Sequence, residues 1–157
     1  IAFTKANAAT EMPYFGQEIF EMAQKTGGID DSAYSDARAT SKRLATNAID
    51  TMLREANATI LVEPTYGMPW LSDTIYGDQF SGPSASDLPA ISGYPHLTVP
   101  MGLVKGLPVG LSLIGPKYSE AKLLAAGYAY EQAAKARVAP GYKSTLREGP
   151  GIEGAGE

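Results

Sequence analysis

The residues best suited to chemistry lie in one short stretch, Phe80-Ser81-Gly82-Pro83-Ser84-Ala85-Ser86. Small hydroxyls around a glycine can line a polar pocket or supply the donors that stabilise an oxyanion. Serines ahead of a helix are also ordinary caps and turn formers, and both roles remain open for this stretch. We predict that Ser81 and Ser84 contribute to substrate binding.

Two aromatic residues, Trp70 and Phe80, lie in a long irregular stretch that runs from Thr65 to about Pro83. Loops of this length inside compact domains are uncommon and often functional. Apolar and aromatic side chains commonly form the walls of small-molecule sites. We therefore predict that Trp70 and Phe80 are pocket walls; the alternative is that each anchors the loop in the core.

The chain contains one histidine and no cysteine. This composition excludes disulfides, thiolate metal sites and the usual multi-histidine metal sites, so no metal or cofactor is predicted. His96 lies between Pro95 and a predicted strand, and we interpret it as a structural or surface histidine rather than a catalytic base. The run 149–154 matches G-x-G-x-x-G, but it lies in a Pro-interrupted tail and is interpreted as accidental.

The chain has 157 residues, 13 basic and 17 acidic, with a net charge of −4. An acidic chain without a basic stripe argues against nucleic acid as a partner. The apolar runs are far shorter than a membrane-spanning helix requires, which argues against a membrane protein. The start, Ile1-Ala2-Phe3, has no initiator Met and no leader, and we interpret it as a cut start. A chain without cysteine fits the cytoplasm, which is the predicted compartment.

The elements that must position these residues alternate between helical and strand patterns. Apolar residues at helical spacing predict a helix over 14–25, and Asp30-Asp31-Ser32 supply cap chemistry for a longer helix with an apolar stripe. The remaining pattern predicts a buried strand over 58–62, a short helix over 86–91, a hairpin of strands 97–104 and 108–114, and a final helix from 119.

The predicted strands are apolar with little alternation, which indicates helices on both faces of the sheet. Three strands make a narrow sheet, so we expect further segments to complete it. Two glycines inside elements predict close approaches: Gly110 on the second hairpin strand, where backbone or a helix comes close, and Gly127 in the final helix, which packs closely there.

Several blocks carry a family resemblance through their order and spacing. They are Leu61-Val62-Glu63-Pro64-Thr65, then Leu88-Pro89-Ala90-Ile91-Ser92-Gly93-Tyr94-Pro95-His96-Leu97-Thr98-Val99-Pro100-Met101-Gly102, then Gly106-Leu107-Pro108-Val109-Gly110-Leu111-Ser112-Leu113-Ile114-Gly115, and a helix ending Tyr130-Glu131-Gln132. Together they resemble the C-terminal region of the amidase signature family. Gly-Tyr-Pro and Ala136-Arg137-Val138-Ala139-Pro140 resemble peptide-amidase-like members more than the glutaminase subunit of tRNA-dependent amidotransferases.

The resemblance implies the α/β class, with this chain as the C-terminal portion of an α/β/α fold that contributes about three strands of a mixed sheet. Residues 1–137 are then part of the amidase domain and 138–157 a Gly/Pro-rich tail. The family hydrolyses amides through a serine acyl-enzyme, with a lysine and two serines in an upstream Gly/Ser-rich signature. The chain has no Gly-Gly-Ser-Ser run. We therefore assign no catalytic residue to it and expect it to be inactive alone.

The implied partners are the upstream catalytic part of the same amidase and a small amide or peptide amide substrate. Three alternatives remain open. The chain could be a non-catalytic amidase-like subunit or binding module, or a piece of a glutaminase subunit. A separate hydrolase that uses His96 with a serine is the least favoured.

Overall fold

A computed structural model of the chain describes residues 1–70, 73, 75–80, 82 and 84–141. Over these residues the chain is a mixed α/β structure in which one small sheet lies between helices. The elements, in chain order, are α1 Ala2–Ala6, α2 Ala8–Glu11, α3 Glu18–Gln24, α4 Ser32–Glu55, β1 Leu61–Pro64, α5 Asp87–Ser92, β2 His96–Val104, β3 Leu107–Ile114 and α6 Glu120–Ala134.

The sheet has the strand order β1-β3-β2, and both pairings are antiparallel. The turn between β2 and β3 consists of Lys105 (φ 52°) and Gly106 (φ 76°). Two consecutive residues with positive φ match the right-handed twist of the strands that they join. The predicted hairpin is therefore confirmed, with each strand beginning one residue earlier than expected.

One face of the sheet packs against α6. Val99 and Leu113 are buried against Leu123 of that helix. The helix approaches so closely that a Cβ on Gly127 would lie 2.5 Å from Cδ2 of Leu97. The close approach predicted at Gly127 is confirmed.

The other face packs against α4. Asp31 caps this helix by accepting a hydrogen bond from the Ala33 amide at 2.9 Å, as the cap chemistry predicted. Ile49 and Leu53 of α4 pack against Ile114, which points to the opposite face from its neighbour Leu113. Helices therefore cover both faces of the sheet, as the apolar strands indicated.

The predicted strand over 58–62 is wrong in its position, because β1 begins only at Leu61. The residues before it complete the end of α4. Asn57 takes a left-handed conformation with φ 48°, and the Ala58 amide donates to the Leu53 carbonyl at 2.9 Å. These residues therefore serve the helix terminus rather than the sheet.

The N-terminal region also differs from the prediction. The first dozen residues, which show no clear period, form the short helices α1 and α2, and α3 begins at Glu18 rather than near residue 14. Five large apolar side chains of this region are 67–82% exposed, namely Phe3, Phe15, Ile19, Phe20 and Met22. Along α4 the predicted stripe is only partly buried, since Leu44 and Met52 are exposed.

The C-terminal tail is described only as far as Gly141, and residues 138–141 have no regular secondary structure. The run 149–154 lies outside the described residues. Within the part of the chain that the structure describes, no helix combines the length and the apolar character needed to cross a membrane.

Candidate functional site

A groove of about 840 Å³ lies between the loop that follows β1 and the strands β2 and β3. Aromatic side chains from the loop form one wall, and hydroxyl-bearing residues from the loop and the strands form the floor and rim. The lining residues that matter here are Thr65, Tyr66, Trp70, Phe80, Ser84 and Thr98, together with the Asp87 carboxylate. The groove is thus mostly apolar with a few convergent polar groups, which is typical of small-molecule sites.

Phe80 is the centre of the aromatic wall. Its ring lies edge-to-face with both Tyr66 and Trp70, at centroid distances of 5.6 Å and 5.7 Å. The Trp70 indole is fixed further, because its Nε1–H donates to Oδ1 of Asp78 at 3.0 Å. The three rings therefore hold one another in place while each stays more than two-fifths exposed.

The two ends of the loop are tied together at the base of this wall. Tyr66 and Ser84 form an isolated antiparallel bridge, and the Ala85 amide donates to the Thr65 carbonyl at 3.0 Å. Gly82 (φ 106°) passes so close that a Cβ there would lie 3.1 Å from Cα of Gly67. A glycine is required here, both for the positive φ and for the contact.

Polar groups at the rim act on Tyr66. Hydrogen bonding to the Ser84 hydroxyl, and then to the Ser86 hydroxyl, lowers the pKa of Tyr66 below its ordinary value. Ser84 Oγ also lies 3.4 Å from Oδ1 of Asp87. Ser86 occupies the cap position of α5 but makes no side-chain capping hydrogen bond there. Ser86 therefore begins the helix without the side-chain hydrogen bond of a capping serine.

A chain of four hydrogen-bonded side chains reaches the floor of the groove, which Thr65 and Thr98 line. His96 Nε2 lies 2.6 Å from Ser112 Oγ, Ser112 Oγ donates to Thr65 Oγ1 at 2.9 Å, and Thr65 Oγ1 lies 2.6 Å from Thr98 Oγ1. Gly110 leaves the space for this arrangement, because a Cβ there would lie 2.8 Å from both threonine hydroxyls. The prediction of a close approach at Gly110 by backbone or a helix is therefore wrong about the approaching group, which is a pair of threonine side chains.

Sequence reasoning missed Thr65, Thr98 and Ser112 as parts of one group. A spacing of two residues in the sequence could have predicted this group. His96 and Thr98 have this spacing on one hairpin strand, and Gly110 and Ser112 have it on the other. Such spacing places each pair on one face of its strand. The face toward α4 is therefore partly polar, so the expectation of strands that are apolar on both faces is wrong for this end of the sheet.

The environment of His96 argues against a nucleophilic serine. Partial burial lowers the pKa of His96, and the Glu63 carboxylate opposes this effect more weakly. Ser112, the serine beside it, is 0% exposed. Because a substrate cannot reach a fully buried hydroxyl, the geometry does not support a hydrolase built on His96 and Ser112.

Of the predicted site residues, Trp70, Phe80 and Ser84 line the same groove. Ser81 lies outside the described residues. A role in substrate binding remains a prediction for all four. Among the residues that the structure describes, no three His, Asp or Glu side chains are grouped so as to hold a metal ion.

The fold and a large part of the sequence match known amidases. The X-ray structure of the native peptide amidase from Stenotrophomonas maltophilia superposes with a TM-score of 0.80 and 41% sequence identity, covering 91% of this chain and 28% of that one. A probable amidase of Arabidopsis thaliana is 30% identical over 142 residues, which is 89% of this chain and 24% of that protein. The chain belongs to the amidase signature family.

Within the family the chain is a C-terminal part of a peptide-amidase-like enzyme, as its sequence blocks indicated. A glutamyl-tRNA(Gln) amidotransferase subunit of Exiguobacterium sibiricum is 33% identical over 112 residues, covering 69% of this chain and 23% of that protein. The sequence identity to the peptide amidase is higher than the identity to this subunit, and it covers more of the chain. The chain spans about a quarter of the length of these relatives. No family model matches the chain.

Proposed function

We propose that this chain is part of an amidase that hydrolyses carboxylic or peptide amides through a serine acyl-enzyme, and that it supplies one wall of the substrate pocket. The observation that carries the proposal is the aromatic groove, set in a fold that matches a peptide amidase with a TM-score of 0.80. Trp70, Phe80, Ser81 and Ser84 are the residues proposed to bind the substrate.

The groove would act by binding and orienting the part of the amide that does not react. Contacts to the rings of Tyr66, Trp70 and Phe80 hold an apolar group, and the hydroxyls at the floor and rim set its orientation. Such binding energy places the carbonyl carbon within reach of a nucleophile. The described lining of the groove contains no lysine. We therefore propose that the lysine and the two serines come from the upstream catalytic part of the same amidase.

Exposed apolar surface supports this partner. The side chains of Phe15 and Ile19 are 82% and 80% exposed, and apolar patches of this kind mark interaction surfaces. Within the described sheet, β1 and β2 each pair on one side only. We propose that the catalytic part covers this surface, that residues 1–137 belong to the amidase domain and that 138–157 form a tail. The cytoplasm is the proposed compartment.

The test is a serine-directed fluorophosphonate probe followed by intact-mass measurement. It is applied to the complete polypeptide that the gene encodes and, separately, to the 157-residue chain. We expect an adduct and ammonia release from a peptide amide with the complete polypeptide, and neither with the chain alone. An adduct on the 157-residue chain contradicts the proposal, because the chain then holds its own nucleophile.

A second candidate function is the glutaminase reaction of a tRNA-dependent amidotransferase. Its support is the 33% identity to the Exiguobacterium sibiricum amidotransferase over 112 residues. The two candidates differ in substrate, since one releases ammonia from glutamine and the other from a peptide amide. Ammonia release from glutamine, together with inert peptide amides, favours the second candidate. A folded complete polypeptide that takes no probe indicates a non-catalytic protein or binding module.

A further inference from the structure

The hydrogen bonds of the four-residue chain that reaches the groove floor can all be donated in one direction, from His96 toward Thr98. It begins at the partly buried imidazole of His96 and ends at the Thr98 hydroxyl, which lines the groove. We propose that it is a polarised hydrogen-bond relay that makes the Thr98 hydroxyl a donor to a carbonyl oxygen of the groove's ligand. The proposal rests on the proposed function in one respect, that this ligand is an amide substrate.

Counting protons gives the direction from His96 to Thr65. A hydroxyl carries one proton, and that of Ser112 is donated to Thr65 Oγ1. Ser112 must therefore accept from His96, which requires the proton of the neutral imidazole to be on Nε2. Either hydroxyl of the Thr65–Thr98 pair, 2.6 Å apart, has the geometry to donate, and the proposed relay assigns the donor role to Thr65. The proton of Thr98 is then left to point into the groove.

The surroundings hold this arrangement in place. Ser112 is fully buried on the central strand β3, and the Thr65 amide donates to the Gly110 carbonyl at 2.8 Å. Thr98 lies directly across from Ser112 in the β2–β3 pairing. A donor held in advance by such a network loses little freedom when it binds, and a chain of hydrogen bonds polarises its terminal O–H.

The groove around Thr98 indicates the chemistry of the ligand. The aromatic wall takes an apolar or aromatic side chain, and the Thr98 donor takes a carbonyl oxygen. The Asp87 carboxylate at the rim accepts hydrogen bonds, so it takes an N–H. One amino-acid residue of a peptide amide presents these three features together. The relay thus assigns the carbonyl-binding contact to Thr98, which sequence reasoning had not singled out.

The relay is tested by NMR on the tautomer of His96, the single histidine of the chain. Long-range nitrogen–proton spectra at about pH 8, where an ordinary histidine is neutral, are recorded for the wild-type chain. We expect the proton on Nε2. Thr65→Val removes the acceptor of Ser112, so the Ser112 proton turns to Nε2 and the population protonated on Nδ1 rises. A proton on Nδ1 in the wild-type chain overturns the proposed direction.

Thr98→Val is the second variant, and it covers the case in which Thr65→Val does not fold. It removes the end of the relay and should also raise the Nδ1-protonated population. Thr98→Ser keeps the hydroxyl and should leave the tautomer unchanged, as should Thr40→Val on the exposed surface of α4. An identical tautomer in the wild-type, Thr65→Val and Thr98→Val chains refutes the relay.

The contact to ligand is tested with N-acetylphenylalanine amide as the probe, titrated into the complete polypeptide. A single neutral hydrogen bond corresponds to a loss of affinity of about 3- to 10-fold in Thr98→Val, with Thr98→Ser near wild type. Equal affinity in wild type and Thr98→Val refutes the contact, and so does failure of the wild type to bind. The tautomer measurement does not depend on hydrolysis, so an inactive polypeptide with the expected tautomers contradicts only the proposed function.

Discussion

His96 Nε2 lies 2.6 Å from Ser112 Oγ, although the two residues are 16 positions apart and belong to different strands. The contact joins the single histidine of the chain to a serine that no solvent reaches. It places a titratable group at the inner end of the groove floor. The protonation of His96 is therefore linked to the stability of the folded chain.

The first prediction concerns the pH dependence of stability. Partial burial lowers the pKa of His96 in the folded chain below its unfolded value of about 6.5. The unfolded state then binds more protons than the folded state. The stabilisation that neutral His96 gives the folded chain is therefore fully present above about pH 6.5, and it is lost as the pH falls through the folded pKa. We expect the wild type to lose more free energy of unfolding between pH 7.5 and 5 than His96→Gln does. Urea unfolding at several pH values measures this.

The His96→Gln comparison removes the contribution of the carboxylates, which titrate in both proteins. If the free energy of unfolding changes with pH in the same way in both proteins, the lowered pKa of His96 is contradicted. A profile in which the variant loses more stability than the wild type on acidification would mean that the folded pKa is raised instead.

The second prediction concerns the aromatic wall. Phe80→Ala removes the ring that contacts both Tyr66 and Trp70, so Trp70, the single tryptophan, becomes more exposed. We expect its fluorescence emission to shift to longer wavelength. In the complete polypeptide the KM for an aromatic peptide amide should rise by about 3- to 10-fold, from the loss of an aromatic contact.

The control for Phe80→Ala is Tyr76→Ala. Tyr76 belongs to the same loop, is 81% exposed and does not line the groove. This variant should leave both the emission spectrum and the KM unchanged. If it changes them as much as Phe80→Ala does, the effect reflects loop order in general and not the wall.

The third prediction concerns the link between α4 and the segment that follows α5. The Tyr94 hydroxyl donates to both carboxylate oxygens of Asp50, at 3.0 Å and 3.1 Å. Tyr94→Phe should lower the free energy of unfolding by about 1.5 kcal/mol, the lower end for a hydrogen bond to a charged group, because the pair is only partly buried. Tyr118→Phe, at an 80% exposed position, should have no effect.

A double-mutant cycle with Asp50→Ala isolates the Tyr94–Asp50 interaction from other effects of each substitution. We expect the two substitutions together to cost less than the sum of the two alone. Strict additivity would show that the hydrogen bonds do not contribute to stability.

The fourth prediction concerns the contact between α6 and the sheet. A Cβ at position 127 would lie 2.5 Å from Leu97 Cδ2 and 3.3 Å from Val99 Cγ1. Gly127→Ala should therefore destabilise the chain by about 1–3 kcal/mol through overpacking, although alanine has the higher helix propensity. Gln132→Ala, an exposed site on the same helix, should be nearly neutral. Thermal unfolding of a Gly127→Ala chain at or above the wild-type midpoint contradicts the close packing.

The local elements could be predicted from the sequence because their determinants are local. Asp31 caps α4, Gly93 with φ 76° ends α5, and the positive-φ pair Lys105 and Gly106 closes the hairpin. Each of these features depends on a few consecutive residues. The grouping of Trp70, Phe80 and Ser84 in one loop was also visible, because they lie within 15 positions of one another.

The register of the hairpin could be predicted from the sequence only in part. Counting back from Val104, which pairs with Leu107, places Thr98 opposite Leu113. An irregularity between Pro100 and Gly102 moves Thr98 opposite Ser112 instead. Because a shift of one residue changes which side chains meet, this bulge decides that two hydroxyls face each other.

By itself the sequence determined the helices α4 to α6, the hairpin and the family, through caps, turns, periodicity and the order of its motif blocks. The tertiary structure alone decided that His96, Ser112, Thr65 and Thr98 form one hydrogen-bonded chain, and that the serine beside the histidine is inaccessible. The physical reason is separation along the chain: Thr65 meets Thr98 and Ser112 across 33 and 47 positions. Contacts of that range depend on strand order, on the bulge and on the packing of α4 and α6, none of which a local pattern contains.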